Sequence, residues 1–553
     1  NYVQSAGRAG RRADSAALVL TYAQRRSHDL SRFAEPEQMI AGAMRAPIVP
    51  LENVRIDRRH AHSIAFAAFF RAMSRHLGLT WRHAGEFFLP PQPTPPDWVP
   101  PVQRLETFLA NLPQGVRNSL KAVLPPAVQE ELDVDGGGWV HELLALVTDA
   151  GRQLENDVSA FEERQEAAAA AKHYGLAEQC KQVVRTLRTR PLIGYLATRN
   201  VLPKYGFPVD TVELRTEYVP GKRDKVLELT RDLTQAINEY APGSEVVAGG
   251  QRWTSGGVYR LPGRDLVRRY YMVCEGCGHY REGVEVPEPE CPACGTVATR
   301  QARSYVEPSF GFVANQCTPQ GSGQAPRRSW NSATYIVDTD ADLDSGTTAF
   351  PGGTLRWHAG ARGQFVVVGE GPGRAGYRLC QWCGWGQPNA NKPVKTHKHL
   401  IKGSECTGPL QVHSLAHSYQ TDFVELTFDP AVSATATSAH LRSSVYALLE
   451  GAATALEISR DDIDGVVHRG PSGVPSLVLF DTTPGGAGNT LRIARNLAAV
   501  VDAAVRRVTG CECGIETSCY GCLRGYRNQR YHEELTRGAA LELLGRLLEP
   551  GSR

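Results

Sequence analysis

No apolar run in this 553-residue sequence approaches the ~20 residues that a membrane-spanning helix needs, and no signal-peptide pattern is visible, so no membrane partner is expected. Net charge is nearly absent as well. With 61 Lys and Arg against 58 Asp and Glu the balance is +3, so any polyanion binding must rest on local patches. Two signatures are missing altogether: a phosphate-cradling G-x-x-x-x-G-K-[ST] loop and an acidic D-E-x-[DH] box. These residues therefore hold no self-contained nucleoside-triphosphatase. Isolated cysteines are scarce, since eleven of the thirteen fall in close groups. That spacing points to metal rather than disulfides, and hence to a reducing, cytoplasmic setting. A chain this long is expected to hold about three to four domains.

What is present begins at once. Gln4-Ser-Ala-Gly-Arg8-Ala-Gly-Arg11 places two arginines three residues apart, on one face of a helical turn, with small residues between them. Such a pair can reach the charge that develops on a transferred phosphoryl group. The spacing resembles motif VI of superfamily 2 helicases, in which Gln4 and Arg8 would make polar contacts and Arg11 would be the arginine finger. A motif VI without its partner motifs, in a chain that does not start with Met, leads us to expect the C-terminal part of a longer motor. ATP and Mg²⁺ would then be bound by the full-length enzyme, and this part alone is expected to be inactive.

The cysteines form three groups. Cys274-x-x-Cys277 and Cys291-x-x-Cys294 are separated by thirteen residues and each is followed by glycine, as expected of a zinc ribbon with four thiolates on one ion. Cys380-x-x-Cys383 opens a second group that one histidine and Cys406 complete; His399 is the expected ligand over His397. Cys511-x-Cys513 and Cys519-x-x-Cys522 form the third and tightest group, where zinc is expected and an iron–sulfur cluster uses the same ligands. Arg524, Arg527 and Arg530 follow it directly, as a phosphate- and base-contacting surface would require, although a solvated helix face accounts for them nearly as well. Cys180 and Cys317 stand apart as ordinary thiols. All three groups have closed ligand sets, which argues against a metal-dependent nuclease or hydrolase.

Along the chain, residues 16–22 read as a buried strand, 63–77 as a helix, and 90–101 as a proline-rich linker. His60 and His62 suit capping or packing. Residues 152–188 read as one long helix or a helical hairpin, and glycine- and proline-punctuated strands follow from 202. Residues 420–428 and 476–480 read as strands, and 443–456 and 490–508 as helices. Between the second strand and the last helix lies Asp481-Thr-Thr-Pro-Gly-Gly-Ala-Gly-Asn489. Gly485, Gly486 and Gly488 there suit either an anion site at a helix start or a tight packing turn.

The opening motif, Leu202-Pro-Lys-Tyr-Gly-Phe-Pro208, Asp481 to Gly488, and the last cysteine group with Tyr526-Arg-Asn-Gln529 together resemble the C-terminal half of MrfA-like helicases. That family includes bacterial crosslink-repair helicases and relatives in phage-defence systems such as DISARM. The resemblance implies zinc on the last four cysteines and movement on single-stranded DNA, alongside repair or defence partner proteins and the missing N-terminal helicase domains. The extra groups at Cys274 and Cys380 depart from the simplest repair members and favour the defence relatives. The implied fold is multidomain α/β and α+β. It comprises the end of a RecA-like domain (1–35), a helical connector (36–150 and 151–200), a β-rich region with two zinc sites (201–430) and a C-terminal α/β zinc-binding domain (431–553). A zinc-containing DNA-binding or adaptor subunit beside a separate motor is the alternative, against which motif VI argues.

Overall fold

The structure, a computed structural model, describes residues 18–20, 33, 36–37 and 53–549, apart from 204–209, 221–226, 320–325, 328–331, 340–343, 430–431, 433–434 and 471–472. Gln4, Arg8 and Arg11 lie outside the described residues, as does most of the 202–208 motif. Of the strand expected over 16–22 only 18–20 are described, as irregular and exposed backbone.

Eight helices open the main described stretch: α1 (Val54–Leu77), α2 (Ala84–Phe88), α3 (Pro101–Ala110), α4 (Gln114–Val123), α5 (Pro126–Glu131), α6 (Gly138–Ala170), α7 (Tyr174–Arg188) and α8 (Leu192–Thr198). The Asn53 carboxamide caps α1 by accepting from the Ile56 amide at 3.3 Å. Phe66 and Phe69 of α1 are buried with Phe87, Leu105, Leu120, Trp139, Leu143 and Leu196 in one aromatic-rich core. His62 is wholly buried there, and its Nδ1–H donates to the Val201 carbonyl at 2.9 Å. Burial holds its pKa down to about 3, so it packs as a neutral ring. The proline-rich stretch stays irregular until Pro101 begins α3. The element expected over 152–188 is a hairpin, α6 against α7, but its first arm starts at 138. Trp139, Leu143, Val147, Ala150, Leu154, Val158 and Phe161 recur at helical spacing and carry the arm that far back.

The β-rich part follows: β1 (Thr211–Arg215), β2 (Thr230–Asp232), α9 (Leu233–Glu239), β3 (Glu245–Ala248), β4 (Gln251–Val258), β5 (Arg268–Val273), β6 (Tyr280–Gly283), β7 (Arg303–Val306), β8 (Phe312–Pro319), β9 (Ser332–Asp338), β10 (Asp344–Phe350), β11 (Gly353–Gly369), β12 (Tyr377–Cys380), β13 (Gly386–Pro388), β14 (His397–Lys398), β15 (Glu405–Cys406) and β16 (Leu410–Phe428). The remaining elements are α10 (Ser438–Ala455), β17 (Ile463–Arg469), β18 (Pro475–Asp481), α11 (Asn489–Arg495), α12 (Leu497–Thr509) and α13 (Arg537–Leu548).

A five-stranded sheet runs β2-β1-β8-β4-β3. The larger sheet has eleven strands and is built on one long antiparallel pair, β11 and β16, in register from Leu355 opposite Phe428 to Gly369 opposite Leu415 with a shift between Gly360 and Gly363. Strands β9 and β10 attach to β11, while β7, β12 and β18 attach to β16. Because β18 pairs with β16 at Phe423 to Leu426, one sheet crosses the boundary expected at 430. Trp253 and Phe312 of the smaller sheet bury against Phe365, Phe423 and Phe480 of the larger one. On the far side, Val424, Leu426 and Leu479 meet α10, α12 and α13 through Leu448, Val500 and Leu544. The helix expected over 490–508 is broken at Asn496, whose side-chain amide donates to the Arg492 carbonyl and competes with helix continuation. No helix among the described residues is long and apolar enough to cross a membrane.

Candidate metal centres and nucleic-acid contacts

Each cysteine group of the sequence closes into a cluster. The ligand atoms of Cys274, Cys277, Cys291 and Cys294, of Cys380, Cys383, His397 and Cys406, and of Cys511, Cys513, Cys519 and Cys522 lie within 4.8 Å of one another in each case. All thirteen cysteines are free thiols. A tetrahedron with ~2.3 Å zinc–sulfur bonds has sulfur–sulfur edges of about 3.8 Å. The clusters match this scale: Cys274 to Cys294 is 3.5 Å, Cys277 to Cys291 is 3.7 Å, and Cys380 to Cys406 is 3.9 Å. In the third, Cys511 to Cys519 is 3.5 Å and Cys513 to Cys522 is 3.7 Å. All three fit zinc, and four ligands leave no coordination position open for substrate.

One local device builds three of the turns. In Cys274-x-x-Cys277-Gly278, Cys291-x-x-Cys294-Gly295 and Cys380-x-x-Cys383-Gly384, the glycine sits at a φ of +68° to +78° and its amide donates to the carbonyl of the first cysteine at 2.8 to 3.0 Å. That left-handed conformation turns the chain so that both thiols face one point. In the third group the Leu523 amide makes the same bond to the Cys519 carbonyl without a glycine, at 3.2 Å, and the Gly521 amide donates to Cys519 Sγ and the Cys519 amide to Cys522 Sγ, also at 3.2 Å. The buried Arg537 at the start of α13 donates to the Cys511 and Val508 carbonyls and so ties that helix to the loop.

The histidine expectation is corrected: His397, not His399, joins the second cluster. The two are two residues apart and share a face of extended chain, so alternation cannot separate them. Register does. His397 pairs with Cys406 across β14 and β15, its Nε2 lies 3.3 Å from Cys383 Sγ, and its ring stacks on Trp385 at 4.7 Å. His399 falls past the strand end, where its Nδ1 accepts from the Ile401 and Lys402 amides and closes the hairpin turn.

The glycine-rich loop is also settled in favour of packing. A phosphate would need the amides of 485–490, and carbonyls and carboxylates of the protein take all six. Gly485 and Gly486 donate to the Gln420 and Thr483 carbonyls at 2.8 Å. Ala487, Asn489 and Thr490 donate to Asp481, and Gly488 donates to Asp422 at 2.9 Å. Arg59 closes the other side through the Gly485 and Gly486 carbonyls at 2.7 and 2.6 Å. Gly485, Gly486 and Gly488 are therefore not free anion donors. Asp481 adjoins the loop in sequence and could have been suspected, whereas nothing local points to Asp422. Burial, and then the charge of Asp422, push the Asp481 carboxyl up to about 7 against the pull of its three amides.

The arginines after the last ligand do not form one surface. Arg530 turns inward, its side chain 10% exposed and 3.7 Å from the buried Glu370. Arg524 braces the metal loop through Ser518 Oγ and the His532 carbonyl at 3.1 Å. Arg527 reaches the Asp461 carbonyl at 3.3 Å. A separate cleft of about 470 Å³ lies between α1 and α11, lined by arginines that largely face carboxylates: Arg58 pairs with Glu142, Arg55 lies 3.5 Å from Asp422 and Arg495 lies 3.9 Å from Asp344.

The third cluster, held between α12 and α13, ends a segment of known kind. Residues 445–523 match the MrfA Zn-binding domain. Over 625 aligned residues, covering 98% of this chain, the sequence is 25% identical to the Druantia protein DruE of Escherichia coli strain UMEA 4076-1. This chain spans about a third of that protein, 32% of its length. Among solved structures, the DUF1998 helicase MrfA bound to DNA matches at 12% identity and a TM-score of 0.27, over 61% of this chain and 34% of that one. The structure of MrfA without those ligands in its description gives 13% and 0.27, over 58% and 33%. By its zinc domain and its likeness to DruE, the chain is similar to the C-terminal part of a MrfA-like helicase.

Metal analysis of the purified chain is expected to find three zinc ions. His397→Ala should retain two and His399→Ala three; the reverse pattern would overturn the register argument, and fewer than two in the parent would overturn the ligand sets. The Asp481 carboxyl has a folded pKa above its ordinary value near 3.9, so its contribution to stability is greatest below about pH 4 and is lost as pH rises through about 7. Asp422→Asn removes the like charge, and the fall in melting temperature between pH 5 and pH 8 should be smaller than in the parent. An equal fall would clear the Asp422 charge as a cause of the shift, leaving burial alone.

Proposed function

We propose that this chain supplies motif VI and a zinc-braced accessory region to an ATP-driven DNA helicase or translocase. The observation that carries the reading is the match of 445–523 to the MrfA Zn-binding domain, on a segment whose four thiols are gathered for one ion. In this reading Arg11 contacts the γ-phosphate of ATP bound with Mg²⁺ between two RecA-like domains, and Gln4 and Arg8 couple that contact to domain closure. Arg11→Ala in the ATP-hydrolysing protein would then lower turnover by roughly 10³-fold or more.

The accessory region would meet DNA through its backbone and through base stacking rather than sequence readout. The cleft between α1 and α11, where six arginines face four carboxylates, supports phosphate contacts only through that small excess of positive charge. Zinc, when bound, supplies structure and no chemistry, because every ligand position is taken by the protein. The two extra clusters at Cys274 and Cys380 favour a phage-defence setting over crosslink repair.

The purified 553-residue chain is expected to bind oligo(dT) in a salt-dependent way and to turn over no ATP, with or without that DNA. DNA-stimulated hydrolysis by this chain, or no affinity for nucleic acid at low salt, would overturn the reading.

A further inference from the structure

Lysine is rare in this sequence. Only ten of its 61 basic residues are lysine, the rest being arginine, and four of the ten, Lys392, Lys395, Lys398 and Lys402, fall within eleven residues. They lie on the hairpin that returns the chain from Cys383 to Cys406, the second metal cluster. All four are exposed, and none makes an ion pair among the described residues. Glu405 is the single acidic residue between Cys380 and Cys406. A +2 ion held by three thiolates and an imidazole carries a net charge of −1, which a single cation balances, so four lysines exceed what the metal site needs.

Beside them stands Trp382, 64% exposed although it lies between two ligands. Its base is fixed, since its amide donates to Cys380 Sγ at 3.4 Å and Gly408 leaves the room it needs: a Cβ at Gly408 would lie 2.9 Å from Trp382 Cγ. Trp385, three residues on, shows what packing looks like in this knuckle, with its ring stacked on His397. Trp382 has no ring partner of that kind among the described residues. The cluster links Trp382 to one of the lysines through adjacent ligands. Trp382 adjoins Cys383, Lys398 adjoins His397, and the Cys383 and His397 ligand atoms are 3.3 Å apart. His397 faces the metal, so Lys398, the next residue of the strand, points away from it.

An anchored indole with an exposed ring, in one knuckle with exposed compact cations that make no ion pair among the described residues, has the chemistry of a single-stranded nucleic-acid platform: the ring takes an unpaired base, and the ammonium groups take phosphates along the same strand. A duplex offers no base face to the ring. We propose that the Cys380–Cys406 knuckle is a single-stranded nucleic-acid contact, with Trp382 as the stacking residue and Lys392, Lys395, Lys398 and Lys402 as phosphate partners. The proposal rests on the nucleic-acid reading above and assigns it to a place.

The test is fluorescence anisotropy with labelled oligo(dT) and the full 553-residue chain over a series of salt concentrations. Trp382→Ala should raise Kd about tenfold, within the range for one lost base stack, and Trp382→Phe should restore most of the affinity. Changing the four lysines to alanine should weaken binding and flatten the log Kd against log salt plot by about 2 to 3, at ~0.7 for each phosphate contact on a single strand. Each variant should keep three zinc ions and the parental melting temperature. Parental affinity and slope in both variants would overturn this assignment while leaving the nucleic-acid reading in place, whereas failure of the parent to bind oligo(dT) would overturn that reading too. Loss of zinc in Trp382→Ala would make the indole a packing residue and overturn its role. Equal affinity of the parent for poly-glutamate or phosphatidylserine vesicles, lost in the same variants, would mean that the patch reads acidic charge and not nucleic acid.

Discussion

Four soft ligands converging on one point is the constraint on which the irregular parts of this molecule depend. Between Cys274 and Cys294, Cys380 and Cys406, and Cys511 and Cys522 the chain forms only strands of two to four residues or none at all. Such segments bury too little apolar surface to hold a shape, and ordering them costs conformational entropy that must be offset elsewhere. A metal ion offsets it directly, because ligand binding and folding of the segment are then one event. The turns agree with this at the level of single bonds, with backbone amides returned to cysteine carbonyls in all three clusters and donated to sulfur in the second and third.

The clusters are fixed to the body by ordinary packing. The second hangs from β12, where Cys380 pairs with Leu410 at the start of β16, and the first hangs from the β5–β6 hairpin, which reaches β16 through β7. The third sits against α12 and α13, with Cys522 inside the apolar core they share with α10. One long strand pair, β11 and β16, thus organises two knuckles and the core beneath the third. The same pair positions Asp422, whose carboxylate crosses to the Gly488 amide and converts a loop shaped like an anion site into an internal joint. An arginine of α1 closes that joint from outside, so the helical part and the C-terminal part meet there in a charged contact.

Features set by near neighbours along the chain are legible in the amino-acid sequence. Cysteine spacing identifies the thiol ligands of all three clusters because each knuckle is a local turn, and helix-forming composition marks 152–188 as helical without separating one long helix from the α6–α7 hairpin. Features set by distant partners are not legible in this way. The choice of His397 over His399 depends on the register of β14 against Cys406, and nothing in the His-Lys-His string reveals it. The loop at 485–488 has the right residues for an anion site, and two of its four amides are taken by Gln420 and Asp422, more than sixty residues upstream, which nothing in the loop itself reveals. Arg530 resembles its neighbours Arg524 and Arg527 in sequence, yet Glu370 draws it inward. The break at Asn496 is legible in principle, since an asparagine inside an apolar helix pattern is a competitor for backbone bonds.

The central claim is that three closed metal centres brace this chain, and zinc K-edge X-ray absorption of the purified protein addresses it most directly. The geometry predicts eleven sulfur ligands and one imidazole shared over three ions, with zinc–sulfur distances near ~2.3 Å and no bound water. A first shell rich in oxygen or nitrogen would contradict it.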